Sequence, residues 1–121
     1  MKIETEAVLL RIHIGEADRY EGKPLYKKIV EILRENHIAG ATVLRGILGF
    51  GKSSRIHAAS ILDLSEDLPV IIEVIENEDK IKAVLPKIEP LIENGLITME
   101  KVKVLKYSAK ETNVVCRHRM C

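Results

Sequence analysis

Aromatic residues and cysteines are scarce in this chain of 121 residues. It has no tryptophan, one phenylalanine and three tyrosines, too few for the stacking platform on which single-stranded nucleic acids bind. Its two cysteines, Cys116 and Cys121, lie together at the end of the chain, so disulfides cannot hold a core together. We therefore expect one domain with an aliphatic core of isoleucine, leucine and valine.

An excess of charge of one sign and long apolar runs are also missing. The chain has nineteen Lys and Arg and eighteen Asp and Glu. A net charge this close to zero gives no general electrostatic attraction for nucleic acid. No uncharged apolar stretch approaches the roughly 20 residues that cross a bilayer, and no apolar block near the start marks a secretory signal. These absences predict a cytoplasmic protein that does not bind nucleic acid.

The spacing of apolar residues predicts elements in the order β-α-β-β-α-β. Right-handed crossovers would give an α+β, ferredoxin-like fold: a four-stranded antiparallel sheet with two helices on one face. Pro86 and Pro90 predict a kink or an early end in the second helix. Strands are expected over 7–14, 41–48, 69–75 and 96–105, helices over 23–37 and 78–93, and a further extended stretch over 56–63.

The second face of such a sheet has no helix to cover it. Apolar residues nevertheless alternate onto both faces, as Val8 and Leu9 do in the first strand. An uncovered apolar face is typical of a partner surface, so we expect a homo-oligomer whose open sheets pack together. Arg11 and His13 share this face, either as ligand contacts in a cleft between subunits or as interface residues that pair with acids.

A glycine-rich segment follows the second predicted strand. It contains Gly46, Gly49 and Gly51, with Arg45 before them and Lys52 after them. Backbone N–H groups in such a turn can bind an anion, and neighbouring cations can neutralise it. The spacing fits neither the P-loop nor the dinucleotide fingerprint. The residues alone leave two interpretations open, a phosphate-binding turn and a glycine-rich hairpin connection with solvated cations.

Several motifs that occur in order resemble those of a compact PII-like family, related to the nitrogen-regulatory PII signalling proteins. The resemblance covers about residues 7–105. We therefore expect a PII-like domain over 1–107 and a flexible tail over 108–121. The motifs are RIHIGE at 11–16, GKPLY at 22–26, GATVLRG at 40–46, GFG at 49–51 and LSEDLP at 64–69.

The resemblance implies a homotrimer that holds an adenine nucleotide (AMP, ADP or ATP) in clefts between subunits and requires no cofactor. Thr42 would lie near the nucleobase or ribose, and the GFG motif with Lys52 near the phosphates. The Gly-Asp-Gly-Lys run of PII proteins is missing after the second helix, which leaves a mono- or diphosphate or a cyclic nucleotide open beside ATP. The expected nucleotide-binding residues are Arg11, Thr42, Arg45, Gly46, Gly49, Phe50, Gly51 and Lys52.

The resemblance also implies regulation and no catalysis. Ligand binding would favour one state of the 46–57 loop, which would contact a partner protein such as a membrane channel or transporter. One alternative is a ligand-independent trimeric adaptor. A second is an acyl-phosphate hydrolase on the same fold, disfavoured because the loop after the first strand offers Asp18 and Arg19 but no asparagine.

Metal binding has only a weak sequence signal. Cys116, His118 and Cys121 are soft ligands, but no second pair of ligands stands upstream of them. We therefore expect no metal site.

Overall fold

A four-stranded antiparallel sheet with two helices on one face forms the protein. The computed structural model describes it over residues 5–51, 57–58 and 67–108. The strands lie in the order β2-β3-β1-β4, and each neighbouring pair is antiparallel, which confirms the ferredoxin-like α+β fold. The elements are β1 (Thr5–Gly15), α1 (Leu25–Glu35), β2 (Thr42–Arg45), β3 (Pro69–Glu76), α2 (Glu78–Ile88) and β4 (Leu96–Val104).

The core lies between the sheet and the two helices. The alternation predicted for β1 is confirmed, because its even-numbered residues from Val8 to Ile14 are buried while Leu9, Arg11 and His13 are partly exposed. Each helix adds one stripe at helical spacing. The helical core residues are Leu25, Ile29, Ile32 and Leu33 of α1, and Ile81, Val84 and Ile88 of α2.

Both helices are shorter than the sequence predicts. Before α1, Lys23–Pro24 pairs with Arg19–Tyr20 in a short ribbon, and Pro24 is extended with ψ of 125°. The predicted start at residue 23 was therefore wrong. α2 ends at Ile88 and continues as a 3-10 turn over Glu89–Leu91, because Pro90 lacks an N–H group and its ring blocks the preceding turn.

The strand predicted over 41–48 was also wrong in length. β2 spans only Thr42–Arg45, after which the chain leaves the sheet. Leu48–Gly49 then pairs with His57–Ala58 in a separate two-stranded ribbon. The rest of the extended stretch predicted over 56–63 lies outside the described residues, as does the expected tail beyond residue 108. No helix in the described ranges has the length and apolar character to span a membrane.

The start of α2 provides a test of the fold. The Asn77 side chain accepts hydrogen bonds from the backbone N–H groups of Asp79, at 2.8 Å, and Lys80, at 3.4 Å. Asn77→Ala removes this cap and should lower the free energy of unfolding by about 1 kcal/mol, measured by urea denaturation. Asn77→Asp keeps the acceptor and should retain most of the stability. Equal loss in both variants would contradict a capping role.

Candidate functional site

The glycine-rich turn after β2 packs against the first residue of β3. The Gly46 N–H donates to the Pro69 carbonyl oxygen at 2.7 Å. A Cβ atom on Gly46 would lie 2.7 Å from the Pro69 Cγ atom, and one on Gly49 would lie 3.1 Å from it. Gly46 therefore leaves no room for a side chain unless the proline ring moves, whereas Gly49 makes a tight contact that a shift of a few tenths of an ångström would relieve.

The outer part of the turn is open. A Cβ atom on Gly51 would meet none of the described residues within 4 Å, and Phe50 is 70% exposed. Ile47 and Leu48 are exposed as well. The turn thus presents apolar side chains to its surroundings, beside the backbone of the predicted phosphate site. The predicted ligand residue Lys52 lies outside the described residues.

Arg45, at the end of β2, already has an acidic partner. Its Nη2 atom donates to the Oε2 atom of Glu16, the residue that follows β1. The backbone N–H of Glu16 in turn donates to the Leu68 carbonyl oxygen at 2.8 Å. Sequence reasoning missed Glu16 as a site residue, although it belongs to the 11–16 motif, because nothing in the sequence indicates that it meets a residue 29 positions later.

Arg11 lies at the centre of the open sheet face. Its Nε atom donates to the Glu73 Oε2 atom at 2.9 Å, and its Nη1 atom to the Glu100 Oε1 atom at 3.2 Å. The hydrogen bond to Glu73 is the main cause that raises the pKa of Arg11 above its ordinary value. Arg11 thus pairs with two acids, and both belong to its own subunit.

Thr42 shares the open face with Arg11. Glu73 of β3 is paired with Thr42 on one side and with Arg11 on the other. Residues paired across antiparallel strands point to the same face, so the three side chains form a row across β2, β3 and β1. The structure thus brings together two of the predicted ligand residues, with a carboxylate between them.

Thr42 also lines a broad groove of about 1260 Å³ at the end of the sheet where β1 and β2 begin, and this groove extends from the open face to the start of α2. The floor is formed by apolar residues of the sheet, among them Leu9, Ile75 and Val102. Three carboxylates also line the groove, those of Glu6, Glu73 and Glu76. Sequence reasoning missed the basic residues of its lining because they belong to α2, β4 and the segment after β4. They are Lys80, Lys103 and Lys106.

The predicted site residues therefore form two groups at opposite ends of β2. Thr42 and Arg11 belong to the open face, whereas Arg45, Gly46 and Gly49 lie beside Glu16 or Pro69. Extended chain rises roughly 3.3 Å per residue, which separates Thr42 from Gly46 by about 13 Å. None of the described residues of the turn lines the groove. Within the described residues, one subunit does not bring both groups to the groove.

Metal ligands are not clustered in the structure over residues 5–51, 57–58 and 67–108. No group of three His, Cys, Asp or Glu side chains within these ranges could hold a metal ion. The candidate ligands Cys116, His118 and Cys121 lie outside them.

The glycines of the turn allow a matched test. Gly46→Ala forces a Cβ atom into the Pro69 ring and should lower the free energy of unfolding by about 1–3 kcal/mol, as overpacking does. Gly51→Ala adds a methyl group that contacts no residue of the described ranges and should change this free energy by no more than about 0.5 kcal/mol. Urea denaturation of both variants measures the difference. Equal stabilities would show that the contact with Pro69 is not required.

Comparison with solved structures places this fold among PII-like proteins. CPII, a nitrogen regulatory PII-like protein from Thiomonas intermedia K12 solved with ADP, AMP and bicarbonate, matches with a TM-score of 0.67 at 15% identity. The match covers 86% of this chain and 92% of that one. At this identity, the likeness establishes the fold alone.

Comparison with sequences identifies the family. A UPF0166 protein of Aquifex aeolicus is 44% identical over 97 residues, which are 80% of this chain and 91% of that protein. A UPF0166 protein of Methanocaldococcus jannaschii is 42% identical over 102 residues, 84% of this chain and 94% of that protein. The family model described as Uncharacterized ACR, COG1993 (DUF190) matches residues 7–104. The expected resemblance is confirmed: the chain belongs to the DUF190 family of UPF0166 proteins and has the PII-like fold.

Proposed function

We propose that this chain is a PII-like regulatory protein that binds an adenine nucleotide in clefts between the subunits of a homotrimer. Nucleotide binding would be coupled to the loop over 46–57, which contacts a partner protein such as a membrane channel or transporter. The proposal gives no residue a catalytic role. The observation that carries it is the groove beside Thr42, with its apolar floor and its lysines.

The chemistry of the groove suits a nucleotide. An apolar floor can accept the face of a nucleobase, and a few polar groups fix its orientation. Lysine ammonium groups bind phosphate as point charges. Lys80, Lys103 and Lys106 supply three of them, beside the carboxylates of Glu6, Glu73 and Glu76. Thr42 can hydrogen-bond a ribose hydroxyl or a base edge. CPII, solved with ADP and AMP, shares the fold.

The open sheet face supports self-association. Leu44, Ile75 and Leu96 are exposed on it, and Ile75 retains 52% of its accessible surface. In the part of the chain that the structure describes, no helix packs on this face. Arg11 satisfies its charge within its own subunit, so another copy can cover it without leaving it unpaired. Packing of open faces would close the groove into a cleft between subunits.

The same packing would bring together predicted ligand residues that lie far apart within one subunit. A nucleotide that touches Thr42 of one subunit could reach the turn of a neighbour, whose Arg45, Gly46, Gly49, Phe50, Gly51 and Lys52 would complete the site. The exposed apolar residues of that turn, Ile47 and Leu48 among them, would face the partner protein. The shift between loop states can only be as large as the difference in nucleotide affinity between them.

Titration with nucleotides tests the ligand. Isothermal titration of the protein with AMP, ADP, ATP and a cyclic dinucleotide should show binding of at least one of the four. Lys103→Ala combined with Lys106→Ala should weaken that binding about tenfold, because two phosphate-binding charges are lost. Lys27→Ala, which removes an exposed lysine of α1 remote from the groove, is the control. No binding of any nucleotide would overturn the proposed ligand.

Substitution of the open face tests the assembly. Ile75→Glu places a charge on the apolar surface that we expect to be buried between subunits, and should convert trimers to monomers in light scattering coupled to size-exclusion chromatography. Ile47→Glu, on the exposed turn, should leave the mass unchanged. A monomeric wild type, or a trimeric Ile75→Glu variant, would contradict assembly through this face.

A second candidate function, a ligand-independent trimeric adaptor, is favoured by one observation. Gly46 packs too closely on Pro69 to carry a side chain, and Gly49 packs tightly beside the same ring. Arg45 is neutralised by Glu16, so these residues of the turn can be accounted for without a phosphate. The two experiments separate the candidates, because an adaptor would form the trimer and bind none of the four nucleotides.

A further inference from the structure

Arg45, a predicted phosphate-binding residue, forms an ion pair with the carboxylate of Glu16 in the same chain. Carboxylate and phosphate oxygens accept hydrogen bonds from a guanidinium in the same geometry. A nucleotide phosphate that used the same Nη2 atom of Arg45 would therefore take the place of Glu16. This inference rests on the proposed function, since it concerns how that ligand binds.

The backbone holds Glu16 firmly on its side of the pair. Its N–H donates to the Leu68 carbonyl oxygen at 2.8 Å, and Leu68 is buried. On either side, the Gly15 N–H donates to the Asp18 Oδ2 atom at 3.0 Å and the Ala17 N–H to the Asp67 Oδ1 atom at 2.7 Å. The carboxylate is thus presented from a turn in which three successive backbone N–H groups are bound.

Arg45 is the more adaptable member. It ends β2, which lies at the edge of the sheet, and its side chain is 62% exposed against 25% for that of Glu16. Its long side chain can reach a new partner without a change in the backbone. An exposed ion pair of this kind is weak, because water screens it. It can therefore be exchanged for a stronger contact with a phosphate group.

We infer that Glu16 is an internal competitor for the nucleotide phosphate and sets how strongly phosphate contributes to affinity. Because Glu16 binds Arg45, only a fraction of the molecules have Arg45 available to bind phosphate. The apparent affinity for the nucleotide is reduced by that fraction. The carboxylate also repels a phosphate that approaches Arg45. This loss of affinity applies to phosphorylated ligands and not to adenosine, which has no phosphate. Glu16 therefore raises the nucleotide concentration needed to occupy the site.

The variant Glu16→Gln tests this role, since it keeps the size of the side chain and removes its charge. Isothermal titration should show ADP binding about three- to tenfold tighter than in the wild type. This factor corresponds to the energy of an exposed ion pair plus the repulsion between Glu16 and the phosphate, both of which the variant removes. Binding of adenosine should be unchanged. Glu31→Gln, on the exposed side of α1, should bind both ligands as the wild type does.

The double variant Glu16→Gln with Arg45→Gln distinguishes competition from a general effect of charge. If Glu16 acts through Arg45, the double variant should lose the gain in ADP affinity. Two results would overturn the inference: ADP binding by Glu16→Gln that is unchanged or weaker, or a gain in ADP affinity that persists when Arg45 is also replaced. In either case, ADP binding by the wild type would still support the proposed function. Absence of ADP binding in the wild type and in Glu16→Gln alike would overturn the use of ADP and this inference together.

Discussion

Pairing of β3 on both of its edges is the constraint on which the rest of the structure depends. β3 lies between β1 and β2, and Val70, Ile72 and Val74 point from it into the core. Its other residues position the site: Pro69 supports the glycine turn, and Glu73 separates Arg11 from Thr42. At its end, Glu76 accepts a hydrogen bond from the Ala39 N–H at 2.9 Å and so fixes the approach to β2.

The sequence was sufficient to predict the fold because burial follows a local period. Alternation in β1 and the apolar stripes of both helices depend on neighbours a few residues apart. The lengths of elements were less predictable, since β2 ends where Gly46 bonds to Pro69, a contact between distant segments. The site was least predictable. Arg11 meets Glu73 across 62 positions, and no periodicity indicates which of many charged side chains meet.

The glycines show why a motif can be recognised while the physical reason for its residues stays open. Chain flexibility and anion binding explain glycine equally well in a sequence. The structure adds a third cause, close packing against a proline ring, which applies to Gly46 and Gly49 and not to Gly51. Within the described part of the turn, only one glycine, Gly51, does not pack against Pro69. Mutations of the three glycines therefore distinguish packing of the turn from contact with a ligand.

The outer strand β4 has a consequence for how copies of this protein can meet. It is nine residues long and lies at the edge of the sheet, where unpaired backbone groups could recruit further strands without limit. Lys101 and Lys103 stand on this strand, and like charges of this kind discourage edge-to-edge growth between identical molecules. If copies associate through the sheet face, as proposed, rotational symmetry would give a closed particle of fixed size and no fibre.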